Sequence, residues 1–118
     1  MKLINDRIAV IRFDLEEKGQ LTVINVYGPT SVNTALEPEL GRRFYTQVQA
    51  VYSAEKVKSA LLFFMGDFNS KIDMRAPTDS DFTGRYWKRH GGRNENGTRL
   101  KELAEGEGLY LINTHFKL

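Results

Sequence analysis

Five apolar residues in a row, at positions 61–65, form a short hydrophobic run near the middle of the chain. A short apolar run that ends at a glycine predicts a strand buried on both faces. Gly66 ends the run and allows a tight turn after it. Asp67 and Asn69 follow two residues apart, so in extended backbone both side chains would point to the same side. We therefore predict a functional site at this strand end, where catalytic groups of layered α/β proteins commonly lie.

Two stretches before this run have the composition and partial alternation that are typical of strands. They are residues 8–15 and residues 21–27, both rich in β-branched and aromatic side chains. The polar residues 16–20 between them include a glycine and suit a turn. We predict that the two stretches pair as an antiparallel hairpin with a loop of about four or five residues.

A helix is predicted between this hairpin and the hydrophobic run. Gly28 and Pro29 end the second strand, residues 31–37 are predicted to be a loop, and Pro38 suits a first helical turn. Apolar residues then recur at steps of three and four positions to about residue 54, which is typical of an amphipathic helix. They are Leu40, Phe44, Val48, Val51 and Tyr52.

The last part of the chain predicts one further helix and one further strand. The helix is expected to begin near Asn96 or Thr98, because either residue suits the cap position. Gly106 and Gly108 are expected to end it. Residues 109–113 then predict a short last strand. The predicted element order is β-β-α-β-α-β, which favours an α/β layered fold.

A long polar segment, residues 71–93, separates the hydrophobic run from the second helix. Loops of this length are usually functional or mobile. Its second half mixes cations with aromatic rings, which suits contacts with phosphates and unstacked bases. The residues expected to bind nucleic acid are Arg85, Trp87, Lys88, Arg89 and Arg93. The alternative is a solvated loop without a ligand.

Composition narrows the class of protein only a little. The 118 residues suit one domain with a modest core, and a net charge of +2 permits an anionic partner without requiring one. The chain has no cysteine, which excludes disulfides and thiolate metal sites. No apolar run approaches the roughly 18 residues of a membrane span, and the first residues do not read as a signal peptide. We therefore expect an intracellular protein without a membrane partner.

Four motifs in the same order resemble those of the endonuclease/exonuclease/phosphatase superfamily. Residues 23–30 (Val-Ile-Asn-Val-Tyr-Gly-Pro-Thr) resemble its N-V-Y-A-P-T segment, and residues 65–69 (Met-Gly-Asp-Phe-Asn) resemble its G-D-F-N segment. Two later segments are similar to one branch of this superfamily. They are residues 93–100 (Arg-Asn-Glu-Asn-Gly-Thr-Arg-Leu) and residues 108–114, which contain Gly-Leu and Asn-Thr. That branch comprises the endonuclease domains of non-LTR (LINE-type) retrotransposons and the related craniofacial development protein 2-like proteins. The resemblance covers about residues 7–116.

The resemblance implies a four-layer α/β sandwich, in which two packed mixed sheets lie between outer helices. It also implies hydrolysis of a phosphodiester with Mg²⁺ or Mn²⁺, and DNA nicking as the ancestral activity. Asp67 would orient or deprotonate the attacking water, Asn69 would hold the scissile phosphate and the water, and both would belong to the metal site. Tyr27 would reach the phosphate or the metal-bound cluster through its hydroxyl. In-line attack on a phosphate needs such a base and such donors.

Several functional residues of the family have no counterpart in this chain. The family's N-terminal Asn and metal-binding Glu would precede the first strand, and its late Asp and Ser-Asp-His segment would follow Leu118. The resemblance therefore implies a single partial domain, residues 1–118, without the N-terminal strands and the C-terminal catalytic segment. We expect this chain alone to be inactive or nearly so, because a site that acts as a unit fails without a principal member. Open sheet edges would also favour self-association.

Several alternatives stay open at the level of the sequence. The chain could be a catalytically dead remnant that binds nucleic acid weakly or serves as a structural module. A phosphatase of phosphoinositides or sphingomyelin would share the chemistry, but the Arg-Asn-Glu-Asn-Gly segment argues against it. Asp67 and Asn69 could simply stabilise a turn, and Tyr27 could be an aromatic residue at the core edge. The expected partner is DNA. A nuclear location is implied by the resemblance alone, and no small-molecule cofactor is expected.

Overall fold

The computed structural model of the chain describes residues 1–73, 81–86 and 92–117. The chain divides into two units, Met1–Phe68 and Asn69–Leu118. The first unit is built from strands that form one sheet and from two helices that follow the third strand. In chain order they are β1 (Lys2–Leu3), β2 (Ile8–Asp14), β3 (Gln20–Tyr27), α1 (Ser31–Leu36), α2 (Pro38–Lys56) and β4 (Leu61–Asp67).

The strands β2 and β3 form the predicted antiparallel hairpin, which confirms that expectation. Their register pairs Ile8 with Val26 at one end and Asp14 with Gln20 at the other. A 3₁₀ turn over Glu16–Lys18 lies in the connection. The short strand β1 pairs antiparallel with β2 on the side away from β3.

The helix α2 lies in the connection between β3 and β4, which run parallel. A parallel pair requires a crossover connection of this kind, because a tight hairpin joins only antiparallel strands. Leu21 pairs with Leu61 and Tyr27 pairs with Asp67, so β3 and β4 end at the same edge of the sheet. The strand order is β1-β2-β3-β4. This mixed sheet, together with the helices, confirms the predicted α/β fold class.

The core of the first unit lies between one face of the sheet and α2. Alternate strand residues supply the sheet side of this core, and the apolar stripe predicted for the helix supplies the other side. The most deeply buried apolar residues are Ile8, Val10, Ile24, Val26, Phe44 and Val48. The ring of Tyr52 on α2 stacks on Phe64 of β4 at a centroid distance of 5.8 Å. Each large apolar side chain buried in this way contributes about 1.5–3 kcal/mol relative to exposure.

An ion pair joins α2 to β2 beside this core. Arg12 Nε donates to Glu55 Oε2 at 2.9 Å, and Arg12 Nη2 donates to Glu55 Oε1 at 2.5 Å. The Glu55 side chain is only 6% exposed. The bonds from the Arg12 guanidinium lower the pKa of the Glu55 carboxyl, although its burial acts in the opposite direction. The helix is therefore fixed against the sheet by a charge-assisted contact as well as by apolar packing.

The strand β4 is not buried on both faces, so that prediction is wrong. Phe64 lies on the side of α2, whereas Leu61, Phe63 and Met65 point to the opposite side of the sheet. Phe13 of β2 lies on that same opposite side, and each of these four residues is between 44% and 57% exposed. We call these four residues the second face. A hydrophobic run thus predicts a strand here, but it does not reveal how many of the strand's faces are covered.

Residues 31–37, predicted to be a loop, instead contain the short helix α1 (Ser31–Leu36). Thr30 caps this helix, since its hydroxyl accepts a hydrogen bond from the N–H of Asn33 at 3.2 Å. The larger apolar side chains of α1 are exposed and form no buried stripe. A search for apolar periodicity therefore could not find this helix, and its cap was the only available signal.

The second unit contains α3 (Glu95–Glu107), which confirms the second predicted helix. Asn94, and not Asn96 or Thr98, caps its start. Gly108 ends the helix in the left-handed conformation, with a φ of 69°, as expected for a C-terminal glycine. The other glycine that was expected to end the helix lies within its last turn.

Residues 109–113 do not form the predicted last strand. Leu111 makes one isolated parallel bridge with Thr83, and a 3₁₀ turn over Ile112–Thr114 follows. A short apolar run satisfies the composition of a strand, but a strand also needs a ladder of partners, and here the pairing involves one residue on each side. Within the described residues, no helix is long and apolar enough to cross a membrane.

Candidate functional site

Tyr27 and Asp67 are neighbours at the carboxyl ends of β3 and β4, where they form a register pair. Paired residues on adjacent strands point to the same face of a sheet. Both residues are exposed, and 55% of Tyr27 is accessible to solvent. The structure therefore brings together two of the three residues that the sequence predicts as catalytic, a phenol and a carboxylate that solvent can reach.

Two glycines allow the backbone to take this shape at the strand ends. Gly66 has a φ of 114°, and a Cβ at this position would lie 2.0 Å from the carbonyl oxygen of Val26. The N–H of Gly28 donates to the carbonyl oxygen of Asp67 at 2.6 Å, which continues the pairing beyond Tyr27. A Cβ on Gly28 would lie 2.4 Å from the carbonyl oxygen of Phe68. Glycine is therefore required at both positions beside Asp67.

Arg7 is a third side chain at this edge of the sheet. Its carbonyl oxygen accepts a hydrogen bond from the N–H of Tyr27 at 2.9 Å, which extends the hairpin by one pair beyond Ile8 and Val26. Its Nη1 donates to the carbonyl oxygen of Tyr27 at 3.2 Å, and its guanidinium carbon lies 5.8 Å from the centre of the Tyr27 ring. The sequence interpretation missed this residue. The hairpin register would have found it, because a pair of residues 8 and 26 implies a pair of residues 7 and 27.

Asn69, the third predicted catalytic residue, is the first residue of the second unit. Its φ is 49°, a left-handed conformation that Asn adopts more readily than most residues. The extended backbone assumed for residues 67–69 is therefore not present at Asn69. The carbonyl oxygen of Asn69 accepts hydrogen bonds from Asn94 Nδ2 at 3.1 Å and from Asn96 Nδ2 at 3.3 Å. Side chains of the Arg-Asn-Glu-Asn-Gly segment thus hold the backbone of this predicted site residue.

Asn94 connects the start of α3 to the segment after Asn69. Its Oδ1 accepts hydrogen bonds from the N–H of Gly97 at 2.8 Å and from the N–H of Lys71 at 2.9 Å. A Cβ on Gly97 would lie only 1.8 Å from the carbonyl oxygen of Lys71, so the two backbones could not approach in this way with another residue there. The sequence interpretation recognised this segment by resemblance but missed its local role, for which Asn at a helix start was the available signal.

The predicted nucleic-acid-binding segment is described only in part. Arg85 and Arg93 are exposed, and the guanidinium carbon of Arg85 lies 5.1 Å from the centre of the Tyr86 ring. Trp87, Lys88 and Arg89 lie outside the described residues. The described part therefore offers two exposed cations and one partly exposed ring, which is chemistry that suits a phosphate backbone.

The residues at the strand end can be compared with what Mg²⁺ or Mn²⁺ requires. Across residues 1–73, 81–86 and 92–117, no group of three or more His, Cys, Asp or Glu side chains could hold a metal ion. Asp67 supplies one exposed carboxylate. Mg²⁺ is often bound through one or two carboxylates, with waters and substrate phosphates as the remaining ligands. The donor chemistry of Asp67 therefore fits an ion that is shared with a phosphate substrate.

Comparisons of the chain with protein-family models, with curated proteins and with solved structures found no match. The relation to the endonuclease/exonuclease/phosphatase superfamily therefore stays a resemblance of motifs. The geometry of Tyr27, Asp67 and Arg7 and the contacts of Asn69 stand independently of that resemblance.

Proposed function

We propose that this chain carries the central part of a divalent-metal-dependent phosphodiester hydrolase whose ancestral activity is the nicking of DNA, as in retrotransposon endonucleases. The observation that carries this proposal is the pairing of Tyr27 with Asp67 at one edge of the sheet. Each residue belongs to a different motif, and the two motifs are far apart in the sequence. Motifs that resemble one family and meet at one strand end are expected of a shared site.

Each residue has a role that its chemistry allows. The Asp67 carboxylate accepts a proton from the attacking water or orients it, while water adds to phosphorus and the bond to the leaving oxygen breaks. The Tyr27 hydroxyl donates to a phosphate oxygen. Mg²⁺ or Mn²⁺ held at Asp67 would neutralise charge on the phosphate. The two-sheet sandwich and a nuclear location belong to the same proposal.

The chain alone is expected to have little or no activity. The motifs of this sequence offer no match for the family's metal-binding Glu or for its catalytic Asp-His pair. Removing a principal member of a site that acts as a unit costs most of the rate. The proposal is therefore tested better by the binding of metal at Asp67 than by turnover.

Mn²⁺ can locate the metal site directly, because it broadens the NMR signals of nearby nuclei. In the presence of a short DNA duplex, small amounts of Mn²⁺ should broaden the amide signals of Gly66 and Asp67 first. Asp67→Asn should abolish this effect, since it removes the charge and keeps the shape. Asp14→Asn is the matched control, because Asp14 is exposed at the opposite end of the sheet. Broadening that avoids Asp67 in the unsubstituted chain would overturn the proposal.

The second candidate function is a catalytically dead remnant that binds nucleic acid. The exposed Arg85 and Arg93 favour it, together with the ring of Tyr86 beside Arg85. It predicts DNA retention that is sensitive to salt, falls in Arg85→Ala and Arg93→Ala, and needs no metal. Broadening by Mn²⁺ at Asp67 separates the two candidates, because the remnant needs no metal there. Nicking of supercoiled plasmid with Mg²⁺ or Mn²⁺ gives a second readout, with Asp67→Ala and EDTA as controls. Metal-dependent nicking that disappears in Asp67→Ala would exclude the remnant.

A further inference from the structure

Three side chains form a row across the sheet at the edge where β3 and β4 end. They come from the residue before β2, from the last residue of β3 and from the last residue of β4, namely Arg7, Tyr27 and Asp67. Ile8 and Val26 point into the core and are buried, so Arg7 and Tyr27 point to the other face of the sheet. Neighbouring strands lie about 4.8 Å apart, so the backbones of Arg7 and Asp67 are separated by about 10 Å.

Contacts within the first unit position the Arg7 side chain along this row. The N–H of Arg7 donates to Asn5 Oδ1 at 2.8 Å, which fixes the backbone before β2. Arg7 Nη1 donates to the carbonyl oxygen of Tyr27, and the guanidinium lies over the Tyr27 ring. A guanidinium has five N–H donors in a planar fork, so the contact made by Nη1 leaves capacity for a further acceptor. The side chain is therefore held in place without using all its donors.

The charge of Arg7 also distinguishes it from the other arginines of this unit. Arg12, Arg42 and Arg43 each form an ion pair with a glutamate. No carboxylate in the described part of the chain forms such a pair with Arg7, whose contacts are to a carbonyl oxygen and to an aromatic ring. A positioned guanidinium without a carboxylate is suited to an anionic ligand, and phosphate oxygens match its fork in two-point contacts.

We propose that Arg7 binds the phosphodiester backbone of the substrate, at a phosphate next to the one held at Asp67. This inference rests on the proposed function and names a further substrate contact of the same site. Tyr27 is the middle residue of the row, and its exposed ring provides a surface against which a sugar or base can pack. A nucleic acid strand that follows the row would thus meet Arg7, Tyr27 and Asp67 in turn.

The binding test compares Arg7→Gln with Arg42→Gln, using a fluorescein-labelled DNA duplex and EDTA to exclude metal. Arg42 is the matched control because it is a 65% exposed arginine on α2. A residue that neutralises one phosphate lowers the salt slope of the binding constant by about 0.9. Arg7→Gln should therefore show a slope smaller by about one and weaker binding, by about threefold to tenfold at low salt. Arg42→Gln should keep the slope, and Arg7→Lys should restore most of it.

A second measurement uses the unsubstituted chain and does not depend on the folding of a variant. Diethyl phosphate, a small phosphodiester, is titrated while the NMR signals of the Arg7 Nε–H group and the Tyr27 ring are followed. These signals should shift more than those of Arg42 or Arg43. Absence of a shift at Arg7, or an unchanged salt slope in Arg7→Gln, would overturn the inference.

The outcomes also separate this inference from the proposed function. Broadening by Mn²⁺ at Asp67 with an unchanged slope in Arg7→Gln would support the hydrolase and overturn the role of Arg7. A smaller slope in Arg7→Gln without broadening at Asp67 would support phosphate binding by Arg7 and overturn the hydrolase. Failure of both measurements would overturn both.

Discussion

At the scale of single residues, glycine controls the backbone beside the candidate catalytic carboxylate. Gly66 has a left-handed φ and lies close to the carbonyl oxygen of Val26, and Gly28 lies close to the backbone of Phe68. A side chain at either position would push β3 and β4 apart near Asp67. The two glycines are therefore structural conditions for the site as well as for the turn.

Alanine at Gly66 should destabilise the protein, and alanine at Gly106 should not. At Gly66 the added Cβ meets backbone at 2.0 Å and the φ is unfavourable, so we expect a loss of at least about 2 kcal/mol in the free energy of unfolding. At Gly106, within α3, the added Cβ meets nothing within 4 Å, so we expect a gain of about 0.5–1 kcal/mol. Urea unfolding measures both free energies of unfolding. Equal effects of the two alanine substitutions would contradict the structural role assigned to Gly66.

The sequence predicts Asp67 as a candidate site residue, but it does not predict the neighbours that surround it. Asp67 follows a recognisable strand and glycine, so its position at a strand end could be read directly. Arg7 could be found only from the register of the hairpin, which depends on pairing between distant residues. The contacts of Asn94 with Asn69 and Lys71 depend in the same way on how a loop returns to a helix. Such contacts between residues that are far apart in the sequence have no local sequence pattern.

At the scale of elements, the helix α2 organises the first unit. It lies between two parallel strands along the chain, covers one face of the sheet and is joined to β2 through Arg12 and Glu55. Its apolar stripe was predictable because burial on one side imposes a period near 3.6 residues. The short helix α1 lacks a buried apolar stripe, and residues 109–113 lack a ladder of partners. Periodicity alone could therefore not assign either segment correctly.

The Arg12–Glu55 pair should make stability depend on pH in the acid range. Hydrogen bonds from Arg12 lower the pKa of Glu55 in the folded chain. Its stabilising contribution is therefore complete above the unfolded value, about 4.3, and is lost as pH falls through the lower folded value. Glu55→Gln should be less stable than the unsubstituted chain at about pH 6, and the difference should shrink towards about pH 3.

Urea unfolding at a series of pH values measures this difference. Glu39→Gln is the control, because Glu39 forms an exposed ion pair with Arg42. The difference in the free energy of unfolding between this variant and the unsubstituted chain should not change in this way with pH. If the difference in the free energy of unfolding between Glu55→Gln and the unsubstituted chain stays constant from neutral to acid pH, the role assigned to the ion pair is contradicted.

At the scale of the whole molecule, the sheet has one covered face and one apolar face that remains exposed. The second face consists of Phe13, Leu61, Phe63 and Met65. The edge strand β4 carries three of these residues, and exposed apolar residues on an edge strand favour association. The sequence predicted the α/β class correctly because the strands and helices are marked locally. The layering of a two-sheet sandwich stays a prediction, because it depends on what packs on the second face.

The chain should associate as its concentration rises, with the second face as the contact surface. Phe63→Lys should weaken this association, because it places a charge at the centre of the exposed edge strand. Val57→Lys is the control, since Val57 is 77% exposed but lies just beyond α2. Sedimentation velocity over a range of concentrations measures the effect. A monomer at all concentrations with a sharp cooperative thermal transition would contradict the prediction.

Asp67 is the residue on which the proposed function depends most, and the coupling between metal and DNA binding tests it directly. If one ion contacts both Asp67 and a phosphate, Mn²⁺ and DNA must strengthen each other's binding by the same factor. The affinity for a labelled duplex, measured with and without Mn²⁺ at constant ionic strength, should rise with Mn²⁺ in the unsubstituted chain and in Asp14→Asn. It should not rise in Asp67→Asn. The same response to Mn²⁺ in all three proteins would contradict a metal-dependent phosphodiester site at Asp67.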